Sequence, residues 1–340
     1  MGCFLFAILC ANLEGSEMKR VAKAEGRGNI FLEEVEVPVL ESTQVLVRAE
    51  RSLISRGSEI WRRYDREEAI DPRMMGYSLA GVIADVGSEV DAFKVGDRVA
   101  ALAPHAEYVA MEVVAPAHQP SVVHLPAAIS AEAGTFWPLG TSSVLWMQQT
   151  AAGCDDTMVI QGQGLVGSGC MQVAKALGVG NLIAVDALAL RCRLAGELGA
   201  DAVVDLSEVD GVEEIQRLTN GQGADVVVEA VGGRAGAAAF AAAQDMVRKG
   251  GLIQVLGLYE SEPLPLDSAK IQGKRLVGGY LDASQRPAGA QKALELLETG
   301  KIQADKMVSH RFSYTEAKAA FDLLYEDLGK TMAVMLVWDS

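Results

Sequence analysis

The chain has 340 residues, of which half are hydrophobic, and that length suits about two domains with a substantial core. Thirty basic against 45 acidic residues give a net charge of −15 with no long run of Lys or Arg, which argues against nucleic acid and anionic membranes as partners. The five cysteines (Cys3, Cys10, Cys154, Cys170 and Cys192) are odd in number and form no CxxC pair; this speaks against a disulfide framework and a four-cysteine zinc lobe and fits buried free thiols in a reducing cytoplasm.

Residues 3–11 are apolar but too few to span a bilayer, and no basic residues precede them as in a signal peptide. Phe6 stands where a myristoylation motif wants Ser or Thr. Residues 1–17 are therefore read as an extension outside the domains, and 18–21 as the opening of the first strand.

From 18 to about 123 the pattern is short strands with turns, at 31–38, 44–49, 80–87, 97–102 and 106–110, punctuated by Gly87, Gly96 and Asp97. After Pro126 the texture changes. Ser130 is an N-cap candidate for a helix, and 141–152 continues helical. Strands at 158–160, 182–185, 202–204, 225–228 and 252–256 then alternate with helices near 165–177, 189–198, 211–219 and 235–248, the pattern of a doubly wound parallel sheet. The tail adds a helix near 289–299, a strand at 309–312, a helix near 314–326 and a closing strand at 331–337. The predicted fold class is α/β, a β-rich domain joined to a Rossmann sheet. The predicted division is an extension (1–17), a β-rich catalytic domain (18–145 and 286–340) and a nucleotide-binding domain (146–285).

The most informative stretch is Gly162-Gln-Gly164-Leu-Val-Gly167, between an apolar strand and a helix, followed by a second apolar strand ending on Asp186. Gly162 permits the tight turn, Gly164 admits a pyrophosphate close to the backbone, and Gly167 lets the helix pack on the sheet. The phosphates are expected at the helix N-terminus, at Leu165 and Val166, where unpaired N–H groups and the helix dipole favour anions. The Asp186 carboxylate accepts from both adenosine ribose hydroxyls and repels a 2′-phosphate, so NAD is expected in preference to NADP. Leu256-Gly257-Leu258 stands at the carboxyl end of a parallel strand, the expected place for a ligand.

The order of these motifs, with Gly76-Tyr-Ser-Leu-Ala-Gly-Val-Ile-Ala-Asp-Val-Gly, Val95-Gly-Asp-Arg-Val, His105-Ala-Glu-Tyr-Val, Asp225-Val-Val-Val-Glu-Ala-Val-Gly and Lys249-Gly-Gly-Leu-Ile-Gln-Val-Leu-Gly, resembles the medium-chain dehydrogenase/reductase superfamily, whose members join a chaperonin-10-like catalytic domain to a Rossmann domain. The resemblance covers nearly all of 18–337. It implies that Arg191 lies near the adenosine ribose, that Val231 lies by the same ribose, that Thr141 contacts the nicotinamide, and that the Leu256-Gly257-Leu258 turn meets the nicotinamide carboxamide through its backbone groups. It also implies a homodimer or homotetramer joined through edge strands near 252–258.

Zinc-dependent members hold metal ligands at the places occupied here by Ser55, Tyr77 and Trp137. None is a good Zn²⁺ ligand at neutral pH, because Ser and Tyr hydroxyls stay protonated and Trp offers only an N–H. No zinc is expected, and His105, His118, His124 and His310 have no carboxylate or thiol at ligand spacing. Without metal, hydrogen-bond donors or a general base must activate the substrate. The candidates are Tyr77, with Arg56 as a neighbouring cation lowering its pKa, Glu59 as base with Ser58 as relay, and Ser55 in the same loop. Tyr77 also reads as a half-buried strand aromatic, and Glu59 as a first-turn helix acid. Trp137 is expected to wall the cleft, or to pack in the core. The charged segment from Arg62 is either a solvated loop or, through Arg62 or Arg63, a recognition element for an acidic or polyhydroxylated substrate.

The reading is a cytoplasmic, zinc-independent, NAD(H)-dependent oxidoreductase acting on a secondary alcohol or carbonyl of polyol, sugar or secondary-metabolite type. Alternatives are a quinone or enone reductase and a non-catalytic NAD(H)-binding protein.

Overall fold

A computed structural model describes residues 15–117, 120–258 and 263–338. The readings for residues 1–14, including Cys3 and Cys10, and for His118 lie outside the described residues. The first strand opens at Glu17, one residue inside the stretch read as an extension.

The strands, in chain order, are β1 (Glu17–Lys23), β2 (Ile30–Glu36), β3 (Gln44–Ile54), β4 (Leu79–Val86), β5 (Arg98–Ala101), β6 (Tyr108–Glu112), β7 (Val122–His124), β8 (Thr157–Gln161), β9 (Asn181–Asp186), β10 (Ala202–Asp205), β11 (Ala224–Glu229), β12 (Val247–Val255), β13 (Arg275–Gly278), β14 (Val308–Ser313) and β15 (Ala333–Val337). β1 and β2 form a hairpin. Seven strands form one sheet in the order β14-β15-β3-β4-β5-β7, with β6 pairing β3, so the C-terminal strands rejoin the sheet begun by the first third of the chain.

The other sheet is six parallel strands ordered β10-β9-β8-β11-β12-β13. Its central strands read as unbroken apolar runs because helices cover both faces: Met158, Val159 and Ile160, then Leu182 to Val185, then Val226 to Val228 are all buried. From β8 the chain winds outward through β9 to β10 and then returns to the other side of β8 with β11. The direction of winding therefore reverses between β8 and β11, and the crevice at their carboxyl ends is where such sheets bind ligands.

Two sequence expectations need correction here. β12 is paired on both sides, so the edges of the parallel sheet are β10 and β13 and not residues 252–258. β13 itself escaped prediction because four residues flanked by Lys274 and Gly279 carry too little period-2 signal. The expectation of buried thiols holds for Cys170 and Cys192, but Cys154 is exposed; all three are free.

The helices fall within a few residues of their expected places, and Ser130 caps its helix by accepting from the Ala133 N–H at 3.0 Å. The segment Arg56–Tyr64 is different. It is a wide-turned π-helix, with the Asp65 N–H bonded to the Ile60 carbonyl five residues back. Such turns are rare and occur mostly at functional sites. They pitch side chains inward at a spacing that an ordinary helix does not offer. No helix among the described residues is long and apolar enough to cross a membrane.

Candidate active site

The glycine loop leaves β8 through Gly162, whose φ of +84° is left-handed. A Cβ on Gly167 would sit 1.8 Å from the Gly162 carbonyl oxygen, so the helix Leu165–Ala176 is seated directly against the turn and only glycine fits. Gly164, in contrast, opens onto free space. The nearest atom to a Cβ there is Nη1 of Arg191, at 3.7 Å.

Asp186 ends β9 with its carboxylate turned back into this loop. One oxygen accepts the Gln163 N–H at 2.7 Å, and the other accepts those of Ala187 and Leu188 at 2.8 and 2.9 Å. Arg191 Nη1 stands 3.8 Å from Asp186, and its Nε is buried without a partner. Burial pulls the Arg191 guanidinium below its ordinary pKa, against the opposing pull of Asp186. Facing it is Arg56, at the start of the π-helix, lowered to about 10 by burial and then by the Arg191 charge. Arg56 lies over the Trp61 ring at 5.3 Å and donates to the Leu324 carbonyl. Two partly desolvated guanidiniums near enough to feel each other repel, and an anion close to both relieves that repulsion.

The carboxyl ends of β11 and β12 complete this side. Glu229 is fully buried; its carboxylate accepts the Val231 N–H at 2.8 Å, and its carbonyl accepts those of Leu256 and Gly257. A Cβ on Gly257 would lie 2.7 Å from Glu229 Oε2 and 2.7 Å from the Gly232 nitrogen, so glycine is required there too. Gly233 N–H donates to the Leu258 carbonyl. Val231 and the 256–258 turn are thus held together by one buried residue, Glu229, the first through its carboxylate and the second through its backbone carbonyl, and sequence reasoning passed it over. Its signal was a lone Glu at the end of a valine run.

The second cluster lies further along the same π-helix. Glu59 is completely buried, and its Oε1 accepts the Ser55 N–H at 2.9 Å while its Oε2 lies 2.7 Å from His105 Nε2. Ser55 precedes the helix without capping it by its side chain, which leaves its hydroxyl for Tyr77. The half-buried Tyr77 phenol is hydrogen-bonded by Ser55 and Ser58, yet desolvation, and then the Glu59 charge, push it up to about 12. This is opposite to the expectation that Arg56 lowers it. The cation beside Tyr77 is Arg63, whose inward-turned Nη1 is 4.0 Å from Glu59, whereas Arg56 sits on the Arg191 side. Arg63 therefore does not belong to a solvated loop.

Trp137 is 1% exposed, and its indole N–H bonds the Ala290 carbonyl at 3.3 Å, so it packs in the core between helices and does not wall an open cleft. Thr141 is buried on the same helix, its hydroxyl donated to the Trp137 carbonyl. Of the histidines, His124 is exposed and bonds the Ala92 carbonyl, and His310 lies in β14 beside Ser309. Two meet a carboxylate that the sequence spacing did not suggest: the exposed His124, whose Nδ1 is 3.7 Å from Asp97, and the buried His105, which reaches Glu59 from 46 residues away.

The donor set at the metal position of zinc-dependent relatives does not fit Zn²⁺. Ser55 offers a neutral hydroxyl, Tyr77 a phenol held above its ordinary pKa, and Trp137 an N–H already donated to Ala290. Among the described residues no three His, Cys, Asp or Glu side chains converge as a metal site would need.

Two family models match in chain order, the alcohol dehydrogenase GroES-like domain at residues 41–127 and the zinc-binding dehydrogenase at residues 166–299. The chain is 29% identical over 292 residues to sorbitol dehydrogenase of Bacillus subtilis, covering 78% of this chain and 81% of the relative. It is 28% identical over 349 residues to D-arabitol-phosphate dehydrogenase of Enterococcus avium, covering 94% and 97%. The solved alcohol dehydrogenase TADH from Thermus sp. ATN1 superposes with a TM-score of 0.80 at 24% identity, over 94% of this chain and 99% of that one. With a GroES-like sheet, a doubly wound parallel sheet and dehydrogenase relatives along most of its length, the chain belongs to the medium-chain dehydrogenase/reductase superfamily as an alcohol dehydrogenase-like oxidoreductase.

Proposed function

We propose that this protein is an NAD(H)-dependent, zinc-independent dehydrogenase that interconverts a secondary alcohol and its carbonyl, on a substrate of polyol, sugar or secondary-metabolite type. The observation that carries this reading is the Arg56–Tyr64 helix. Its first residue, Arg56, feels the charge of Arg191 beside the glycine loop, while further along Ser58 hydrogen-bonds the Tyr77 phenol and the buried Glu59 charge acts on it. One short segment joins the dinucleotide cradle to a proton-bearing group.

The cofactor cradle fits a dinucleotide. Backbone N–H groups of Leu165 and Val166 would meet the phosphates, Arg56 and Arg191 would offset their charge, and Asp186 would hold the ribose hydroxyls. A nicotinamide bound here supplies the hydride acceptor or donor. Tyr77 keeps its proton at neutral pH and donates a hydrogen bond to the substrate oxygen, polarising a carbonyl. Ser55 and Ser58 orient the phenol by hydrogen bonds, and the buried Glu59, held by the Ser55 N–H, sets a negative charge beside it. The Asp186 carboxylate disfavours a 2′-phosphate and so weighs against the NADPH-using enone reductases.

Titration with NADH and NADPH by protein fluorescence, followed by a chelator-treated assay with NAD on sorbitol, arabitol and related polyols, tests this reading. Expected are preferential NADH binding and turnover that survives the chelator. Absence of NADH binding, or activity abolished by the chelator and restored by zinc, overturns it.

A further inference from the structure

Four segments far apart in sequence meet at His105: β3, the Arg56–Tyr64 helix, the loop after β5, and the C-terminal residues after β15. Ser52 and His105 are fully buried and Trp338 nearly so. Trp338 Nε1 lies 2.9 Å from Ser52 Oγ, Ser52 Oγ lies 2.8 Å from His105 Nδ1, and His105 Nε2 lies 2.7 Å from Glu59 Oε2. The arrangement is built into the backbone. Trp338 N–H is held by the Glu50 carbonyl and His105 N–H by that of Met75. Gly76, with φ of +105°, makes room for the imidazole, since a Cβ there would lie 2.9 Å from the ring.

Donor and acceptor chemistry gives these contacts one direction. An indole N–H only donates, so Ser52 Oγ accepts from Trp338 and turns its own proton elsewhere. Ser52 Oγ has a second lone pair, but its own proton finds His105 Nδ1 at 2.8 Å, and donating it there makes Nδ1 the bare, accepting nitrogen of a neutral imidazole. Nε2 carries the ring proton and donates it to Glu59. A neutral imidazole of the other tautomer, with Nδ1 donating to Ser52, sets a bare Nε2 against a Glu59 oxygen, acceptor against acceptor, in a buried site where an unmatched polar group costs about 1–3 kcal/mol.

We propose that Trp338, Ser52 and His105 form a one-way hydrogen-bond chain that locks the His105 tautomer and holds the Glu59 carboxylate as a fixed acceptor behind Tyr77, which makes His105 a positioning residue for the proton-donating phenol. The proposal deepens the dehydrogenase reading and rests on it for the role of Tyr77. The tautomer itself is independent of that reading. With both oxygens engaged, by Ser55 N–H and by His105, Glu59 cannot swing into the cleft. Its charge stays at one place beside Tyr77, where the phenol retains its proton until the substrate oxygen takes it.

Two measurements test this. In protein labelled with ¹⁵N-histidine, with the His105 signals identified by their loss in His105→Gln, the wild type is expected to show a protonated Nε2 and a bare Nδ1. Trp338→Phe, which keeps the stacking on Tyr314, and Ser52→Ala are expected to mix the two tautomers. A protonated Nδ1 in the wild type, or signals unchanged in both variants, overturns the chain. In NAD-dependent oxidation of sorbitol, His105→Leu is expected to lower kcat on the order of 100-fold, the penalty for a misplaced reacting group, with KM within about twofold. His105→Gln, which offers an acceptor to Ser52 and a donor to Glu59, is expected to recover most of that loss. A Gln variant no better than Leu, or a change confined to KM, overturns the positioning role. A wild type that binds no NADH and oxidises no polyol refutes the dehydrogenase reading instead, and the tautomer measurement still decides the chain.

Discussion

Asp186→Asn separates what the carboxylate does for the fold from what it does for the cofactor. The substitution is isosteric. The amide oxygen can keep the Ala187 and Leu188 N–H bonds, but the amide nitrogen then falls where Asp186 Oδ2 accepts the Gln163 N–H at 2.7 Å and faces Arg191 at 3.8 Å. Three donors converge with no acceptor. A lost hydrogen bond to a charged group plus an orphaned buried N–H costs about 2 kcal/mol, so the melting temperature without cofactor is expected to fall by a few degrees in calorimetry. For binding, losing charge-assisted bonds to the ribose costs about 1.5–3 kcal/mol, or roughly 10- to 150-fold in the NADH Kd. NADPH is expected to bind more tightly than to the wild type, because the repelling charge is gone and Arg191 is released. Fluorescence titrations with both cofactors measure this. An NADH Kd within about twofold of wild type, or an unchanged apo melting temperature, refutes the reasoning.

Gly167→Ala places a Cβ 1.8 Å from the Gly162 oxygen; since backbone opposes backbone, destabilisation is expected at or beyond the upper end of the usual 1–3 kcal/mol for overpacking, read from soluble yield and calorimetry. Tyr77→Phe is expected to lower kcat on the order of 100- to 10,000-fold, the range for a general acid, while NADH affinity stays unchanged. The same phenol makes a pH prediction. Its folded pKa of about 12 exceeds the unfolded value of about 10, so its contribution to stability is intact below about pH 10 and is lost as the pH rises toward 12. Tyr64, raised by burial and by its bond to Asp322, acts in the same sense, so unfolding followed against pH should show a shallower alkaline decline in Tyr77→Phe, but not a flat one. Arg56→Ala should weaken NADH binding and reduce its sensitivity to salt, because one of two cations facing the phosphates is removed. Metal analysis of the purified protein should find no stoichiometric zinc, and zinc bound at one per chain would contradict the reading of Ser55, Tyr77 and Trp137.

The dinucleotide unit was legible in the sequence because its parts are local. Strand, glycines, helix, strand and Asp186 fall within about thirty residues, the span of one βαβ unit, each with a backbone or periodicity signature of its own, and the structure sets them in that order. The alternation of apolar runs likewise announced a parallel sheet, since strands covered on both faces must be apolar throughout. What remained hidden depends on chain segments that meet only after folding. His105 read as an isolated histidine until the loop after β5 brought it to Glu59, 46 residues away; Trp338 and Ser52 are 286 residues apart. Arg56 read as a partner of Tyr77, but the turn of the π-helix gave that place to Arg63 and sent Arg56 to Arg191. Trp137 reads equally well as wall or core from sequence, and burial against Ala290 decided for core. By itself, then, the sequence determined the fold class and the strand–glycine loop–helix–strand unit ending on Asp186, because glycine geometry and hydrophobic period are properties of short segments. The direction of the hydrogen bonds behind Tyr77 was decided by tertiary structure alone, because a donor acquires its meaning only from the acceptor that folding brings to it.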